Sequence, residues 1–556
     1  MDNEQKLDRK NSIQETNAED VEYDELLSSA GELGKYQILL FVATCPFYLY
    51  GVVAYYGQIF LTEVSPKHWC WVPELENLTE TERIELAIPP DESARFGINQ
   101  CYQYVADWLD VLTAPCQNGW EFDPTGIPYP TISSELGWVC NNESYQASAQ
   151  TIAFVGCICG GFLIGWISDR YGRLPALITS CMFGFVGGVA SSFATNFIQF
   201  SILRFVTGIA YDNCMMMAYL IVLEYVAPRY RSLLSNLAFA TFYCFFCVVI
   251  PWVALASGHW KTFSLVSSIP MGLAILTPLF LPESPRWLLS KGRIDEAINK
   301  VLTIARVNKK VIPVKLIEQF KTSIAKQPHQ PSVSWLEIFK TPGLRKNFII
   351  ISLLYMSIVC VFDGLVRSIS QVDFNFFVMF TLISATELPS MLLVAFILDR
   401  IGRRWMTATV LFITCIFTLL SVFISSVMGS VISAVIARFA VNMSYSAALQ
   451  WAPELLPTAV RGSGAAVVHI FGFVGTMLSP FIVYSQVYAF WLPSVIIGII
   501  AACGGILAFY LPETAGVVMP QAFDDAIALG KNQNFWDIPC LRKKNEDGNR
   551  NEDFNT

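Results

Sequence analysis

The chain has 556 residues, of which 54% are hydrophobic, 13% aromatic and 15% charged, with a formal net charge of −8. This composition is too apolar for an assembly of soluble domains, and we expect a lipid bilayer rather than a nucleic acid as its surroundings. A membrane-spanning helix needs about 20 consecutive apolar residues, and stretches of that length recur along the chain. Strand-type alternation is absent from them, so we predict helices and not a membrane barrel.

The chain begins with acidic and polar residues, and we predict a disordered cytoplasmic arm at 1–35. Twelve apolar stretches then define a six-helix half at 36–281 and a second at 346–511, with a cytoplasmic linker at 282–345 between them. A polar cytoplasmic tail follows at 512–556. The predicted spans lie at about 36–62, 147–168, 175–195, 198–227, 232–257, 262–281, 346–369, 373–398, 405–427, 429–452, 462–487 and 489–511.

The placement of positive charge predicts the orientation. With both termini inside the cell, 30 of the 37 Lys and Arg residues fall on cytoplasmic segments. Thirteen of them lie between Arg286 and Lys346, in and beside the linker, whereas only three lie in the long loop at 63–146. Cytoplasmic loops of membrane proteins carry this excess of positive charge, so the loop at 63–146 is predicted to be extracellular.

The composition of this loop agrees with an exterior position. Two N-glycosylation sequons begin at Asn77 and Asn142. The loop contains four cysteines, Cys70, Cys101, Cys116 and Cys140. Four cysteines allow three disulfide connectivities, and disulfides are stable on the outside of a cell. We therefore expect a protein that follows the secretory route.

Three sets of residues recur 230 positions apart, after or at the ends of corresponding spans. The repeated residues are Asp169, Arg170, Gly172 and Arg173 with Asp399, Arg400, Gly402 and Arg403; Glu224 and Arg231 with Glu454 and Arg461; and Leu281, Pro282 and Glu283 with Leu511, Pro512 and Glu513. One coincidence would be weak, but three in one register indicate a duplication. Two parallel halves related by an axis along the membrane normal would enclose a cavity near mid-depth and expose it to each side in turn.

The repeated charges lie at the cytoplasmic ends of helices, where they could form a gate. Gly172 and Gly402 can adopt the positive φ that a tight turn between helices requires. The neighbouring arginines can reach Glu224 and Glu454, and such contacts could form in one state and break in the other. The alternative is that these charges only fix topology and turns.

The segment 165–173 (GWISDRYGR), which begins with Gly165, resembles the signature of the major facilitator superfamily after its second span. The segment 282–288 (PESPRWL) resembles one shared by the sugar porters and the organic ion transporters of that superfamily. The exterior segments 116–123 and 131–140 are similar to those of the organic cation, organic anion and carnitine transporters, the solute carrier family 22 type. This resemblance covers about 35–515 and implies a multi-pass plasma-membrane protein with the major facilitator fold.

The resemblance also implies how the exterior cysteines pair. A disulfide-stapled cap of this family would join Cys70 to Cys116 and Cys101 to Cys140. No resident cofactor or metal is implied.

Ionisable residues inside a span are costly and are therefore candidates for a binding site. Asp212 in span four has no partner nearby in the sequence, and Glu387 in span eight precedes a proline. Asp363 and Arg367 in span seven lie four positions apart on one helical face, so an internal ion pair is the alternative to a binding role for them. A protonated structural carboxyl is the alternative for Asp212.

The resembled cation transporters keep aromatic residues and a glutamate in the cavity, at positions matching Tyr243, Tyr355, Phe362 and Glu387. Ring faces hold organic cations well, although packing is the ordinary role of any single aromatic residue. In span eleven the family carries Asp in cation transporters and Arg in anion and carnitine transporters, and this chain has Phe473 there. The charge at this position, which usually indicates the substrate class, therefore gives no indication for this chain.

We expect secondary active or facilitative transport of a small organic cation or zwitterion, such as an amine, a carnitine-like or an amino-acid-derived compound. Coupling to Na⁺ or H⁺ is compatible with the sequence, and no glycine-rich phosphate loop is present to bind ATP. One alternative is an organic anion transporter that uses Arg367, and another is a non-transporting sensor with the same fold. No constellation of nucleophile and histidine indicates an enzyme.

Overall fold

The computed structural model describes residues 23–91, 95–104, 113–326, 334–372, 374–517, 519–530 and 533. Within these residues, twelve helices are long and apolar enough to cross a membrane, and we number them span 1 to span 12. The spans are Lys35–Thr62, Cys140–Tyr171, Arg173–Ser191, Phe197–Glu224, Phe239–Ser257, Trp260–Leu279, Pro342–Gln371, Phe376–Ile401, Arg403–Phe423, Val427–Glu454, Arg461–Val487 and Leu492–Phe509. The prediction of a polytopic all-α protein with twelve spans is confirmed.

Several spans consist of consecutive helices rather than one. Their component helices are Lys35–Ala43 and Cys45–Thr62 in span 1; Cys140–Asn142 (3-10) and Ser144–Tyr171 in span 2; Phe197–Gly208 and Tyr211–Glu224 in span 4; Phe239–Tyr243 (π) and Cys244–Ser257 in span 5; Trp260–Ser268 and Ile269–Leu279 (3-10) in span 6; Pro342–Arg367 and Ser368–Gln371 (3-10) in span 7; Phe376–Ala385 and Glu387–Ile401 in span 8; and Arg461–Tyr484 and Ser485–Val487 (3-10) in span 11.

The interruptions in spans 4 and 8 place two carboxylates at helix N-termini inside the membrane. Asp212 lies in the first turn of its helix, and Glu387 is the first residue of its own. The free N–H groups and the dipole at a helix N-terminus favour a negative charge. Broken helices of this kind build the binding sites of many transporters. The breaks therefore locate a candidate site.

The two halves contact each other through span 2 against span 11 and span 5 against span 8. Within the first half, span 2 approaches span 4 so closely that side chains are excluded. A Cβ on Gly156 would collide with the carbonyl of Phe205, and one on Gly208 would collide with the carbonyl of Ala153. Close approach at small residues is the usual way in which membrane helices pack.

The loop that is predicted to be extracellular folds into a small cap. Strand β1 (His68–Cys70) pairs with β4 (Trp120–Phe122), and β2 (Tyr102–Tyr104) pairs with β3 (Thr113–Pro115), both antiparallel. Helices cover Pro73–Leu75 (3-10), Glu80–Ala87 and Ile132–Glu135. The structure joins Cys70 to Cys116 and Cys101 to Cys140, which are the pairs that the family resemblance implied. Asn77 is exposed, and Asn142 is partly exposed.

The side that is predicted to be cytoplasmic carries further short helices, at Tyr23–Ser29, Pro228–Ala238, Pro285–Ser290, Ile294–Val307, Val314–Lys326, Trp335–Lys340 (3-10) and Phe523–Ala528. The prediction of a disordered arm at 1–35 is therefore wrong for its last part, because Tyr23–Ser29 is helical; residues 1–22 lie outside the described residues. Leu26 and Leu27 of this N-terminal helix are buried, and the helix packs against two helices of the linker.

Polar contacts also hold the N-terminal helix. The Asp24 carboxylate accepts hydrogen bonds from Arg231 (2.6 Å) and from Arg286, and the Tyr23 hydroxyl donates to the carbonyl of Glu224 (3.0 Å). Burial opposes ionisation of Asp24, but the two arginines outweigh it, and the pKa of Asp24 lies below its ordinary value. The ion pairs therefore contribute above the ordinary carboxyl pKa and are lost as the pH falls through the lowered one.

We expect Asp24→Asn to release the N-terminal helix. The change leaves Arg231 and Arg286 without their shared anion, and we expect a loss of about 1 kcal/mol of local stability. Hydrogen–deuterium exchange should then accelerate several-fold in Tyr23–Ser29. The control is Glu25→Gln, since Glu25 is the exposed neighbour on the same helix. Equal exchange in both variants would contradict the assignment.

Candidate functional site

A cluster of charges at the cytoplasmic end of the first half joins spans 2, 3 and 4. The Arg173 guanidinium donates to Glu224 (3.4 Å) and to Asp169 (3.2 Å). Glu283 caps the N-terminus of span 3, because its carboxylate accepts from the backbone N–H groups of Arg173 (2.9 Å) and Leu174 (3.2 Å). A carboxylate at this place satisfies free N–H groups and complements the helix dipole.

The second half repeats this cluster residue for residue. Arg403 donates to Glu454 through two nitrogens, both at 3.0 Å, and to Asp399 at 2.7 Å. Glu513 accepts from the backbone N–H groups of Arg403 (2.8 Å) and Arg404 (2.9 Å). The capping roles of Glu283 and Glu513 were missed in the sequence, although their 230-residue spacing was visible.

The two motif glycines have the predicted conformation. Gly172 has φ +117° and Gly402 has φ +92°, and a Cβ on either would meet the capping carboxylate of Glu283 or Glu513. These turns need glycine both for its φ and for its small size.

Other residues of the predicted gate contribute differently. Arg231 donates to the carbonyls of Leu223 and Val226, and Arg461 to those of Leu456 and Pro520, so neither contacts Glu224 or Glu454. Arg170 and Arg400 are exposed, and a Cβ on Gly165 would have no neighbour within 4 Å. The observed contacts of Arg173 and Arg403 lie within one half each, so a role in gating stays a prediction.

On the exterior side of mid-depth, polar side chains bond the halves together. Tyr55 of span 1 donates to Asp363 of span 7 (2.5 Å), and Arg367 donates to Asp363 (2.6 Å) and to Gln150 of span 2 (2.6 Å). Thr151 of span 2 donates to the carbonyl of Met477 in span 11 (3.0 Å). We call Tyr55, Gln150, Asp363 and Arg367 the exterior seal.

Aromatic rings extend this closure. Phe60 of span 1 lies within 4.9–6.3 Å of the rings of Phe376, Phe377 and Phe380 in span 8, measured between ring centroids. The halves are thus in contact on the side of the loop that is predicted to be extracellular.

Below the exterior seal lies a central cavity between the halves, at the level of the breaks in spans 4 and 8. Its wall is mainly aromatic, with methionines and a few polar groups. It is lined by Tyr55, Tyr211, Asp212, Met215, Met216, Phe239, Tyr243, Tyr355, Val359, Phe362, Glu387, Met391, Asn442, Tyr445, Ser446, His469, Gly472, Phe473 and Thr476. Six of the predicted binding residues therefore meet here, namely Asp212, Tyr243, Tyr355, Phe362, Glu387 and Phe473.

Asp212 has a partner that the sequence did not reveal. Nε2 of His469, in span 11, lies 3.1 Å from its carboxylate, and Nδ1 of the same ring lies 3.1 Å from the Tyr355 hydroxyl. The interpretation of Asp212 as an acid without a partner is thus corrected. The histidine is one turn from Phe473, whose ring packs edge-on against it at 5.0 Å.

Glu387 is also paired, and more tightly. The Arg438 guanidinium donates to its carboxylate at 2.8 Å, and the side chains are 1% and 3% exposed for Arg438 and Glu387. Arg438 also lies over the ring of Phe362, 3.6 Å from its centroid, and donates to Tyr56 (3.3 Å). Because Arg438 neutralises Glu387, the expectation that this acid is free to bind an amine is corrected.

The other two predicted binding residues lie elsewhere. Asp363 is 1% exposed and is enclosed by Arg367 and Tyr55 in the exterior seal. Arg367 lines a second cavity of about 430 Å³ on the exterior side, together with Glu63 and Gln150. Burial raises the pKa of Glu63 to about 7. Asp363 and Arg367 therefore form an internal ion pair, which was the predicted alternative to a binding role for them.

Sequence reasoning missed half of the tyrosines and phenylalanines of the wall, namely Tyr55, Tyr211, Phe239 and Tyr445. Tyr55 stacks on Tyr211 at 4.6 Å, and Tyr445 packs against Phe362 (5.2 Å) and Tyr355 (5.8 Å). The available signal was weak, because the chain has 21 tyrosines and 40 phenylalanines. Only Tyr211, beside Asp212 at the helix break, could have been singled out.

Comparison with known proteins agrees with this architecture. The family description "Sugar (and other) transporter" matches residues 109–522. Solute carrier family 22 member 3 of Rattus norvegicus is 28% identical, over 94% of this chain and 98% of the relative. Organic cation transporter 1 of Caenorhabditis elegans is 28% identical (92% and 89%), and the carcinine transporter of Drosophila melanogaster is 27% identical (93% and 81%).

Solved structures show the same fold. The inward-open conformation of the Escherichia coli xylose transporter XylE superimposes with a TM-score of 0.55 at 17% identity, over 86% of this chain and 98% of that chain. Its partially occluded inward-open conformation gives 0.56 at 15% identity, over 86% and 99%. The family predicted from the sequence motifs is thereby confirmed. The chain belongs to the sugar (and other) transporter family of the major facilitator superfamily, its relatives across most of the chain are of the solute carrier family 22 type, and it is a membrane transporter rather than an enzyme.

Proposed function

We propose that this transporter moves a small organic cation or zwitterion across the plasma membrane by alternating access, with Asp212 as the partner of the positively charged group. The observation that carries this proposal is the combination of an acid at the broken helix of span 4 with an aromatic wall around it. Among the described residues that line the central cavity, Glu387 is already neutralised by Arg438. Asp212 is thus the acid left for a ligand.

The chemistry of the wall suits an ammonium group. A cation over a ring face gains about 0.5–2 kcal/mol, more when water is excluded. Tyr211, Tyr355 and Tyr445 offer such faces, while Met215 and Met391 offer adaptable apolar contacts for the rest of the molecule. Two of the relatives are named for transport of organic cations and of carcinine, which agrees with an amine-binding pocket.

The contacts of Arg367 speak against the organic anion alternative. Its guanidinium is held by Asp363 and Gln150 in the exterior seal, and it lines the exterior cavity. An anion in the central cavity would face the Asp212 carboxylate, since Glu387 is paired with Arg438 there. Burying an anion beside Asp212 would be unfavourable.

Uptake by the full-length protein tests the proposal. Cells that express it would be offered radiolabelled tetraethylammonium, carnitine and p-aminohippurate, which are a cation, a zwitterion and an anion, with sodium and pH varied independently. We expect saturable uptake of the cation or the zwitterion, at least tenfold above cells without the protein. Saturable uptake of p-aminohippurate alone would overturn the proposal. Binding without flux in reconstituted vesicles would favour a sensor.

A further inference from the structure

His469 links the two halves at the level of the central cavity. Its ring, on span 11 of the second half, contacts the Asp212 carboxylate on span 4 of the first half at 3.1 Å. Its other nitrogen contacts the Tyr355 hydroxyl on span 7 at 3.1 Å. A histidine that carries hydrogen-bond partners on both nitrogens has a fixed orientation, so Nε2 stays directed at the acid.

The charge of the cavity depends on this histidine. Arg438 compensates Glu387 permanently, since an arginine does not lose its proton. Asp212 has only His469 as an ion-pair partner among the described residues. With a neutral imidazole the four groups carry one net negative charge, and with an imidazolium they carry none. The side chains of His469 and Asp212 remain 25% and 13% exposed, so protons and ligands can reach them.

We propose that His469 is a proton-exchange site, at which the Asp212 carboxylate binds either the protonated imidazole or the ammonium group of the substrate. This inference rests on the proposed function and adds to it an exchange of amine for H⁺. Histidine changes its charge between about pH 5 and pH 8, whereas an organic ammonium group keeps its own. The proton is therefore the exchangeable partner.

The step balances as a simple displacement. An arriving ammonium contacts the Asp212 carboxylate and repels the imidazolium, because two cations share one anion. The N–H bond at Nε2 of His469 breaks, its electron pair stays on the nitrogen, and the proton passes to water in the cavity. When the ammonium leaves, water returns a proton to the same nitrogen. One positive charge enters the site for each one that leaves.

The structure also explains why the exchange would be obligatory. Asp212 lies near mid-depth, where an uncompensated carboxylate is costly once the cavity closes around it. The halves can reorient with an ammonium bound or with His469 protonated, since both states neutralise Asp212. When the site is empty and His469 is deprotonated, closing the cavity would bury the uncompensated charge of Asp212 and would therefore cost much more free energy. Transport of a monovalent amine would then be electroneutral.

The neighbours of His469 support this assignment. Tyr355 of span 7 contacts His469, and Tyr445 of span 10 packs against Tyr355 in the same cavity. Both are phenols, which stay neutral near pH 7. From span 4 it meets Asp212, with Tyr211 next to Phe473. Glu387 of span 8 lines the same cavity but is paired with Arg438. His469 with Asp212 is thus the pair in this cavity whose net charge depends on whether the imidazole holds a second proton.

Reconstituted vesicles provide the test, with full-length protein and radiolabelled tetraethylammonium, whose fixed charge cannot carry a proton. With the membrane potential clamped at zero and the interior one pH unit more acidic, one-for-one exchange predicts roughly tenfold accumulation of the cation. An interior pH dye should report alkalinisation as the cation enters. In His469→Gln, whose amide can still hydrogen-bond Asp212, the empty site cannot be neutralised by a proton. This variant should exchange labelled for unlabelled tetraethylammonium but show neither pH-driven accumulation nor a pH change.

The matched control is His259→Asn. His259 is partly exposed and precedes span 6, far along the chain from His469. Its Nδ1 accepts from the backbone N–H of Lys261, a bond that asparagine can replace, and its Nε2 lies 3.0 Å from the Glu135 carboxylate. This variant should accumulate tetraethylammonium as the wild-type protein does.

Wild-type flux without accumulation or proton movement overturns the inference and leaves the proposed function intact. Absence of flux of both tetraethylammonium and carnitine at every pH counts against the proposed function itself. Accumulation and proton movement in the wild-type protein test the exchange of cation for H⁺ even if His469→Gln misfolds.

Discussion

Replacing Asp212 by asparagine should raise the KM for tetraethylammonium by roughly thirtyfold or more. Asparagine keeps the size and the hydrogen bond to His469 but removes the negative charge that would hold an ammonium group. Loss of one partner of a desolvated charge pair costs about 2–5 kcal/mol, and the lower limit corresponds to the thirtyfold change. The aromatic rings around it would then bind the cation alone.

The measurement is saturable uptake in cells, corrected for the amount of protein at the surface. Asp295→Asn is the matched control, because Asp295 lies on a linker helix with its side chain 82% exposed, in an ion pair with Lys321. Exposed pairs contribute little, so this variant should keep the wild-type KM. Unchanged tetraethylammonium uptake by Asp212→Asn would remove Asp212 from the binding site.

Separating Glu387 from its arginine should destabilise the protein by about 3–5 kcal/mol. In Arg438→Met the carboxylate of Glu387 stays buried without a cation, and in Glu387→Gln the guanidinium of Arg438 stays buried without an anion. The double variant removes both charges and should recover most of the loss, because a buried ion pair is often replaceable by neutral residues. Thermal unfolding in detergent, followed by tryptophan fluorescence, would rank the stabilities of the wild-type protein, the two single variants and the double variant.

Arg204→Met is the control for the loss of a buried arginine as such. Arg204 in span 4 is 3% exposed and donates to the side chain of Gln58, but it has no ion-pair partner among the described residues. Its replacement leaves no charge stranded and should have a smaller effect than Arg438→Met. A double variant as unstable as the sum of the two single variants would show that Arg438 and Glu387 do not stabilise each other.

The features that could be predicted from the sequence are those encoded by neighbouring residues or by a regular spacing of residues. Twelve apolar stretches, the 230-residue repeat and the glycines of the two turns follow from spacing and from backbone sterics. Asp363 and Arg367 could be paired in advance because four positions on a helix bring side chains together.

The partners of the two other acids could not be found in this way. His469 lies 257 positions from Asp212, and Arg438 lies 51 positions from Glu387. Only the rotation and depth of packed spans decide such contacts, and no sequence period encodes them. The N-terminal helix was missed for a similar reason, because Asp24 is held by Arg231 and Arg286, which are more than 200 positions away in the sequence.

The position of the exterior seal has a consequence for how it can be unlocked. Asp363, Arg367, Tyr55 and Gln150 hydrogen-bond one another while the halves are joined, and separating them without other partners in lipid would be costly. Arg367 and Gln150 border the exterior cavity of about 430 Å³, a reservoir large enough for several water molecules. Water that enters this cavity can replace each hydrogen bond of the exterior seal as it breaks, so the seal can open and close reversibly.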